Sequence, residues 1–155
     1  MKFFTSLLLL LSLRLDATTL PGLRVESLGD TASFTTSLAI DSKGTLYYST
    51  LDGAIYRLGE RDAVASVVTD AVGNSGLLGM ALLDDRFAVV HYTTPGQTYD
   101  VVSKIDLVTG AETILHAFVC DIELPERGSN SEHHGGNPSV APDGSIYVGI
   151  GDFGG

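Results

Sequence analysis

The sequence contains a single cysteine, Cys120, no tryptophan and only nine lysine and arginine residues. With one cysteine the chain can form no internal disulfide, so its fold must depend on packing. Nineteen acidic residues outnumber the basic ones, and the formal net charge of −10 disfavours binding to nucleic-acid phosphates or anionic membrane surfaces. We therefore expect no nucleic-acid partner, whereas a neutral small molecule such as a sugar is compatible with this charge.

Glycine and apolar residues are plentiful. The 155 residues include 18 glycines, 44% of the residues are hydrophobic, and the mean hydropathy is +0.22, which indicates a folded globular core. Many threonine, serine, valine and isoleucine residues between the glycines favour β structure with many turns. A chain of this length is one domain or a piece of a larger protein.

The N-terminal segment is typical of an export signal. Lys2 precedes an apolar run over residues 3–13, which has the length of a signal-peptide core and is too short to span a bilayer. We expect residues 1–17 to be a cleaved signal peptide, which leaves residues 18–155 as the folded part. The protein would then be periplasmic or secreted, with no membrane span after cleavage. The alternative is that this run forms a buried strand or helix.

Short alternating apolar segments separated by turn residues recur along the chain. Residues 36–58 are predicted to form three strands separated by two turns that contain acidic residues. Residues 79–94 and 139–152 are each predicted to form a strand, a turn with acidic residues and another strand. The first and last match at an offset of 100, as in Gly44 and Gly144. Two further strands are predicted within residues 98–119, across a Thr-Gly turn. His91 falls within one of these strands and is expected to be a packed or edge residue.

Repeats of about 40–50 residues that each hold several short strands are typical of β-propeller blades. An all-β sandwich with a similar number of strands is the alternative. A closed propeller needs roughly four to eight blades, whereas this sequence holds about two and a half. We therefore expect an all-β, incomplete propeller that forms the N-terminal blades of a longer protein.

Three stretches of the chain carry a resemblance to a known family. They read LAIDSKGTLYYSTLDGAIYRL (38–58), NSGLLGMALLDDRFAVVHYTT (74–94) and HHGGNPSVAPDGSIYVGIGD (133–152). In this order they resemble the soluble PQQ-dependent aldose sugar dehydrogenases, also called the glucose/sorbosone dehydrogenase family. The resemblance implies a six-bladed propeller that holds PQQ, together with calcium, in a central pocket. It implies that the PQQ clamp and the calcium ligands belong to later blades, so no metal ligand is assigned here.

The same resemblance implies three catalytic residues. His133 lies nine residues before Pro142, as the family's catalytic base does. Asp152 matches the aspartate that orients this histidine, and Glu132 occupies an acidic position that often precedes it. Each also has a simpler interpretation, because a loop histidine, an aspartate that binds turn amides and a solvated glutamate are common in β proteins.

Three further residues are assigned to the cofactor. Asn74 stands where the family usually has Gln or Glu near PQQ, although asparagine is shorter and is also a good turn residue. Gly135 and Gly136 would let the backbone pass close to a flat cofactor or a sugar, since no Cβ intrudes. The following pair, Asn137 and Pro138, departs from the Arg-Leu that is more usual in the family.

The implied reaction is oxidation of an aldose at its anomeric carbon to a lactone. The quinone of PQQ takes the hydride, His133 takes the hydroxyl proton as a neutral imidazole, and an external acceptor receives the electrons. We expect little activity from this chain alone. Two alternatives remain open: a non-catalytic propeller that binds a carbohydrate or a protein, and a metal-dependent propeller lactonase, for which the sequence offers no matching set of metal ligands.

Overall fold

The computed structural model describes residue 31, residues 34–120 and residues 133–151. The expected signal peptide, Glu132 and Asp152 therefore lie outside the described residues. The strands are β1 (Thr35–Ile40), β2 (Leu46–Thr50), β3 (Ala54–Arg57), β4 (Ala65–Ser66), β5 (Leu77–Leu82), β6 (Phe87–Thr93), β7 (Tyr99–Asp106), β8 (Glu112–Val119), β9 (Ser139–Val140) and β10 (Ile146–Tyr147). The helical content of the described residues is one 3₁₀ turn, Pro95–Gln97. Within this described part, no helix has the length and apolar character needed to cross a membrane.

The strands form antiparallel sheets in simple sequential order. The first blade is a four-stranded sheet, β1-β2-β3-β4, the second blade is β5-β6-β7-β8, and β9 and β10 form the first hairpin of a third. Four-stranded up-and-down sheets that follow one another along the chain are the blades of a β-propeller. The prediction of an incomplete β-propeller with about two and a half blades is therefore confirmed.

The hydrophobic core lies between the facing surfaces of the first and second blades. Successive side chains of a strand point to opposite faces of the sheet, so every second side chain lies in this interface. Burial of the apolar ones there stabilises the two packed sheets. The central members are fully or almost fully buried: Tyr47, Ile55, Ala65 and Val67 from the first blade, and Leu77, Met80, Ala88, Val90, Tyr92, Val101, Ile105 and Leu107 from the second. On β1, Leu38 and Ile40 share the opposite face, where they are 61% and 65% exposed.

The turns explain why the first and third blades match at an offset of 100. Gly44 and Gly144 both adopt left-handed backbone, with φ of 83° and 85°, a conformation that glycine adopts without steric cost. The amide of Gly44 donates to the carbonyl of Asp41, and that of Gly144 donates to the carbonyl of Ala141. The repeated sequence therefore encodes the same hairpin turn twice.

The first strands of successive blades lie beside one another. β1 contacts β5, and β5 contacts β9. Because neighbouring propeller blades converge on a central channel, these strands are the innermost of their sheets. Of the described residues that precede β9, Asn137 contacts the innermost strand of the second blade, because its side chain accepts a hydrogen bond from the amide of Met80 on β5.

Candidate functional site

The segment with the predicted base forms one arm of an extended hairpin. Gly135 pairs with Ile150 as an isolated antiparallel bridge, and the amide of Gly136 donates to the carbonyl of Gly149 at 3.1 Å. Gly151 packs directly against the carbonyl of His133, too closely for any side chain at residue 151. The hairpin thus brings the residue just before position 152 into contact with the backbone of His133.

His133 itself is exposed and has an unusual backbone conformation. Its φ is +58°, in the left-handed region that residues other than glycine seldom adopt. Such conformations cluster at functional sites, where the surrounding structure holds them in place. Here the contacts of Gly135 and Gly151 on either arm of the hairpin supply that support.

The two predicted cofactor glycines differ in their surroundings. A Cβ at Gly135 would lie 2.5 Å from the carbonyl oxygen of Gly149 and 3.1 Å from Cε1 of His91, and the φ of Gly135 is +119°. Packing alone therefore requires glycine at position 135. A Cβ at Gly136 would meet no atom within 4 Å, so the backbone there borders open space that a ligand could approach.

Asn137 connects the hairpin to the innermost strands of both complete blades. Its Oδ1 accepts hydrogen bonds from Oγ of Ser37 at 2.8 Å and from the amide of Met80 at 3.0 Å. Gly79 makes room for it, because a Cβ at position 79 would collide with Asn137 and Pro138. Asn137, which stands where the family usually has Arg, thus has a structural role that the sequence did not indicate.

Asn74 lies in an exposed turn immediately before β5. The neighbouring Gly73 lines an open groove together with Phe34, Leu51, Asp52 and Ala71. Ser75, on its other side, is fully buried, and its hydroxyl donates to the carbonyl of Val72. Asn74 therefore projects from a turn that is anchored by its neighbours.

A buried polar cluster lies beneath the hairpin, at the end of the second blade. Nδ1 of His134 is 3.1 Å from Oδ1 of Asp100 and 3.9 Å from Sγ of Cys120. Nε2 of His91 is 3.6 Å from Oδ2 of Asp100, and Thr93 donates to Oδ1 of Asp100 at 2.8 Å. All of these residues are fully or almost fully buried. We name these five residues the buried polar cluster.

Sequence reasoning expected His91 to be a packed or edge residue, and its complete burial in β6 agrees with the first of these. The sequence alone assigns no catalytic or cofactor role to His134. The cluster was missed because its members come from β6, β7, the end of β8 and the hairpin. The sequence offered one indication of the cluster. Val89, His91 and Thr93 share one face of β6, and two polar residues on a face that is otherwise apolar indicate a buried polar contact.

Burial and a neighbouring negative charge determine the protonation state of the Cys120 thiol. Burial, reinforced by the negative charge of Asp100, raises the pKa of Cys120 to about 12. With no metal bound, the thiol is therefore protonated and a poor nucleophile at neutral pH.

Comparison with known proteins places this geometry in context. A family described as "Strictosidine synthase-like, N-terminal" matches residues 37–58, which cover most of β1 and all of β2 and β3. No curated protein matches the sequence. Among solved structures, an oxidoreductase described as a glucose dehydrogenase from Thermus thermophilus is 25% identical, with a TM-score of 0.65 over 84% of this chain.

A second structure is the PQQ-bound form of aldose sugar dehydrogenase from Streptomyces coelicolor. It is 21% identical to this chain, with a TM-score of 0.68 over 84% of it. The chain resembles the sugar-dehydrogenase propellers. The resemblance that the three sequence stretches predict is therefore confirmed. The chain spans 40% and 42% of the lengths of these two proteins.

Proposed function

We propose that these blades belong to an exported PQQ-dependent aldose dehydrogenase, which oxidises a sugar at its anomeric carbon to a lactone. The observation that carries the proposal is His133, exposed on a hairpin in a chain whose fold resembles two sugar-dehydrogenase structures. The sugar is a small neutral substrate, and an external acceptor reoxidises the cofactor.

The described residues fit the proton-accepting side of a PQQ site. The backbone at Gly136 borders open space, and His133 is exposed on the same arm of the hairpin. PQQ, when bound, accepts the hydride removed from the sugar. The residues that clamp PQQ and the ligands for calcium are assigned to later blades.

In this proposal His133 acts as the general base. A neutral imidazole accepts the proton of the anomeric hydroxyl, the role that histidine most often has in general base catalysis. Asp152 would bind the other ring nitrogen, fix the tautomer and stabilise the charged ring that forms. Support for this pairing comes from the contact between Gly151 and the His133 carbonyl. Glu132 would add negative charge nearby.

The test is dye-linked oxidation by the whole protein. The protein is reconstituted with PQQ and calcium and supplied with a panel of aldoses and an artificial dye acceptor. We expect dye reduction that depends on both PQQ and sugar, with the corresponding lactone as product. A sample without PQQ is the control. No dye reduction by PQQ-loaded protein across the panel would contradict the proposal, and sugar binding without turnover would favour a non-catalytic binding propeller.

A further inference from the structure

We propose that the end of the second blade holds a zinc ion, bound by Asp100, Cys120 and His134. These three side chains belong to the buried polar cluster beneath the hairpin. The site is separate from the proposed sugar site and does not depend on the dehydrogenase activity.

The first argument is geometric. One ligand atom from each of the three residues lies within 4.8 Å of the other two. At zinc–ligand distances of about 2.0–2.3 Å, neighbouring ligands of a tetrahedral ion are roughly 3.3–3.6 Å apart. The observed separations are 3.1 Å between His134 Nδ1 and Asp100 Oδ1, and 3.9 Å between His134 Nδ1 and Cys120 Sγ. Each of these two is within about half an ångström of the expected range. The separation of Asp100 and Cys120 lies within the 4.8 Å limit, and rotation of the Cys120 or Asp100 side chain would close it around the ion.

The second argument comes from two buried atoms without hydrogen bonds. Oδ2 of Asp100 and Nε2 of His91 have no hydrogen-bond partner among the described residues, and both side chains are completely buried. Nδ1 of His91 lies 3.0 Å from the carbonyl oxygen of Gly136, so Nδ1 must carry the proton and donate it. In the neutral ring, Nε2 is then an acceptor. Two acceptors thus face each other at 3.6 Å, an arrangement that a cation would stabilise.

The orientation of His91 also matches that of a metal ligand. Histidines that bind metals usually donate their second ring N–H to a carbonyl or a carboxylate, which fixes the tautomer with the other nitrogen free to bind. His91 makes this contact through Gly136. His91 is therefore the nearest candidate for a fourth ligand, beside the second oxygen of Asp100.

The third argument is charge. Within the described part of the chain, the side chains that could pair with Asp100 are the imidazoles of His91 and His134, and no lysine or arginine pairs with it. Neutral imidazoles leave the charge of the carboxylate unbalanced. A buried carboxylate is costly unless it is paired or binds a metal. Thiolate, imidazole and carboxylate together are a donor set that suits zinc. On binding, the thiol of Cys120 loses its proton to solvent. The ring proton through which His134 Nδ1 donates to Asp100 in the metal-free chain moves to Nε2, so that the neutral ring binds the ion through Nδ1.

The ion would join three separate parts of the chain. Asp100 lies on β7, Cys120 follows β8 directly, and His134 lies in the hairpin that enters the third blade. Binding would therefore attach this hairpin to the second blade at the residue next to His133.

The test uses the whole chain stripped of metal with a chelator and then titrated with zinc. We expect one zinc ion per chain after dialysis, measured by elemental analysis. Cobalt in its place should give visible absorption of a tetrahedral ion and a near-ultraviolet band from cobalt–thiolate charge transfer. Because the ion binds the folded state, zinc should also raise the melting temperature.

Three variants locate the ligands. Cys120→Ser should abolish the thiolate band, and His134→Asn should weaken zinc binding at least tenfold. His116→Asn is the matched control, because His116 lies exposed on β8 and should bind as the unmodified chain does. Circular dichroism checks that each variant is folded. Absence of stoichiometric zinc in the unmodified chain would overturn the proposal whatever the variants do. A thiolate band that survives in folded Cys120→Ser would overturn it too.

Discussion

The side-chain oxygen Oδ1 of Asn137 lies 2.8 Å from Oγ of Ser37, a residue 100 positions earlier in the chain. The same oxygen accepts a hydrogen bond from the amide of Met80. One amide side chain therefore connects the entry to the third blade with the innermost strands of the first and second blades. This contact fixes the position of Asn137, two residues before β9, beside β1 and β5.

Replacing Asn137 with alanine should destabilise the fold. The amide of Met80 would lose its acceptor, and an unsatisfied buried donor costs about 1–3 kcal/mol. Urea denaturation of the chain and of Asn137→Ala measures the difference in the free energy of unfolding. Asn74→Ala is the control, because Asn74 is exposed in a turn and should change stability by no more than about 0.5 kcal/mol. Equal effects of the two substitutions would show that the contact with Ser37 and Met80 contributes nothing.

The adjacent glycines of the hairpin provide a matched pair of substitutions. Gly135→Ala should destabilise the chain by more than about 1 kcal/mol, since it combines a positive φ with a steric clash. The new Cβ would lie 2.5 Å from the carbonyl oxygen of Gly149, whereas Gly136→Ala meets no atom within 4 Å and should be tolerated. Denaturation midpoints of both variants check this. Similar losses at the two positions would contradict the described path of the hairpin.

The ion pair of Arg86 and Asp106 predicts how the stability of the fold depends on pH. Hydrogen bonds from the Arg86 guanidinium, reinforced by the amides of Val108 and Thr109, hold the pKa of Asp106 well below its usual range. A carboxylate with a lowered pKa in the folded state stabilises the protein fully above its unfolded pKa, about 4. This contribution decreases as the pH falls below that value and is lost completely only below the pKa of the folded state.

The measurement is the free energy of unfolding at pH 7 and at pH 3. Asp106→Asn should be less stable than the unmodified chain at pH 7, and the difference should shrink at pH 3. Glu60→Gln is the control, since the Glu60 pair with Arg57 is exposed on both sides and such pairs contribute little. A difference between Asp106→Asn and the unmodified chain that stays constant with pH would contradict the role of this pair.

The alternation of apolar and polar residues, together with the turn residues, was enough to predict the fold, because strands and turns are encoded by residues that are close in sequence. Alternation predicted β1 to β3 and β5 to β8, and the matching of Gly44 with Gly144 predicted the same turn in two blades. The buried polar cluster could not be predicted in this way. Asp100 and His134 are 34 residues apart, and Asn137 and Ser37 are 100 apart. Such contacts depend on how blades pack and on the path of the loop between them.

The family resemblance predicted the residues of the candidate site, and the structure gives the surroundings of those that it describes. The exposure of His133 and its hairpin follow from the glycines and the Pro-Asp-Gly turn that the sequence displays. The close packing of Gly135 against His91 was not predictable, because it depends on a contact between the hairpin and β6. The catalytic roles of His133, Glu132 and Asp152 and the cofactor roles of Asn74, Gly135 and Gly136 remain predictions.

The central claim is that His133 accepts the substrate proton, and the turnover number of His133→Ala tests it most directly. In the whole protein loaded with PQQ and calcium, loss of a general base should lower kcat by about 10²–10⁴-fold while the affinity for PQQ stays nearly unchanged. His116→Ala, altered at an exposed histidine of β8, should retain full turnover. Turnover by His133→Ala equal to that of the unmodified protein would contradict the account.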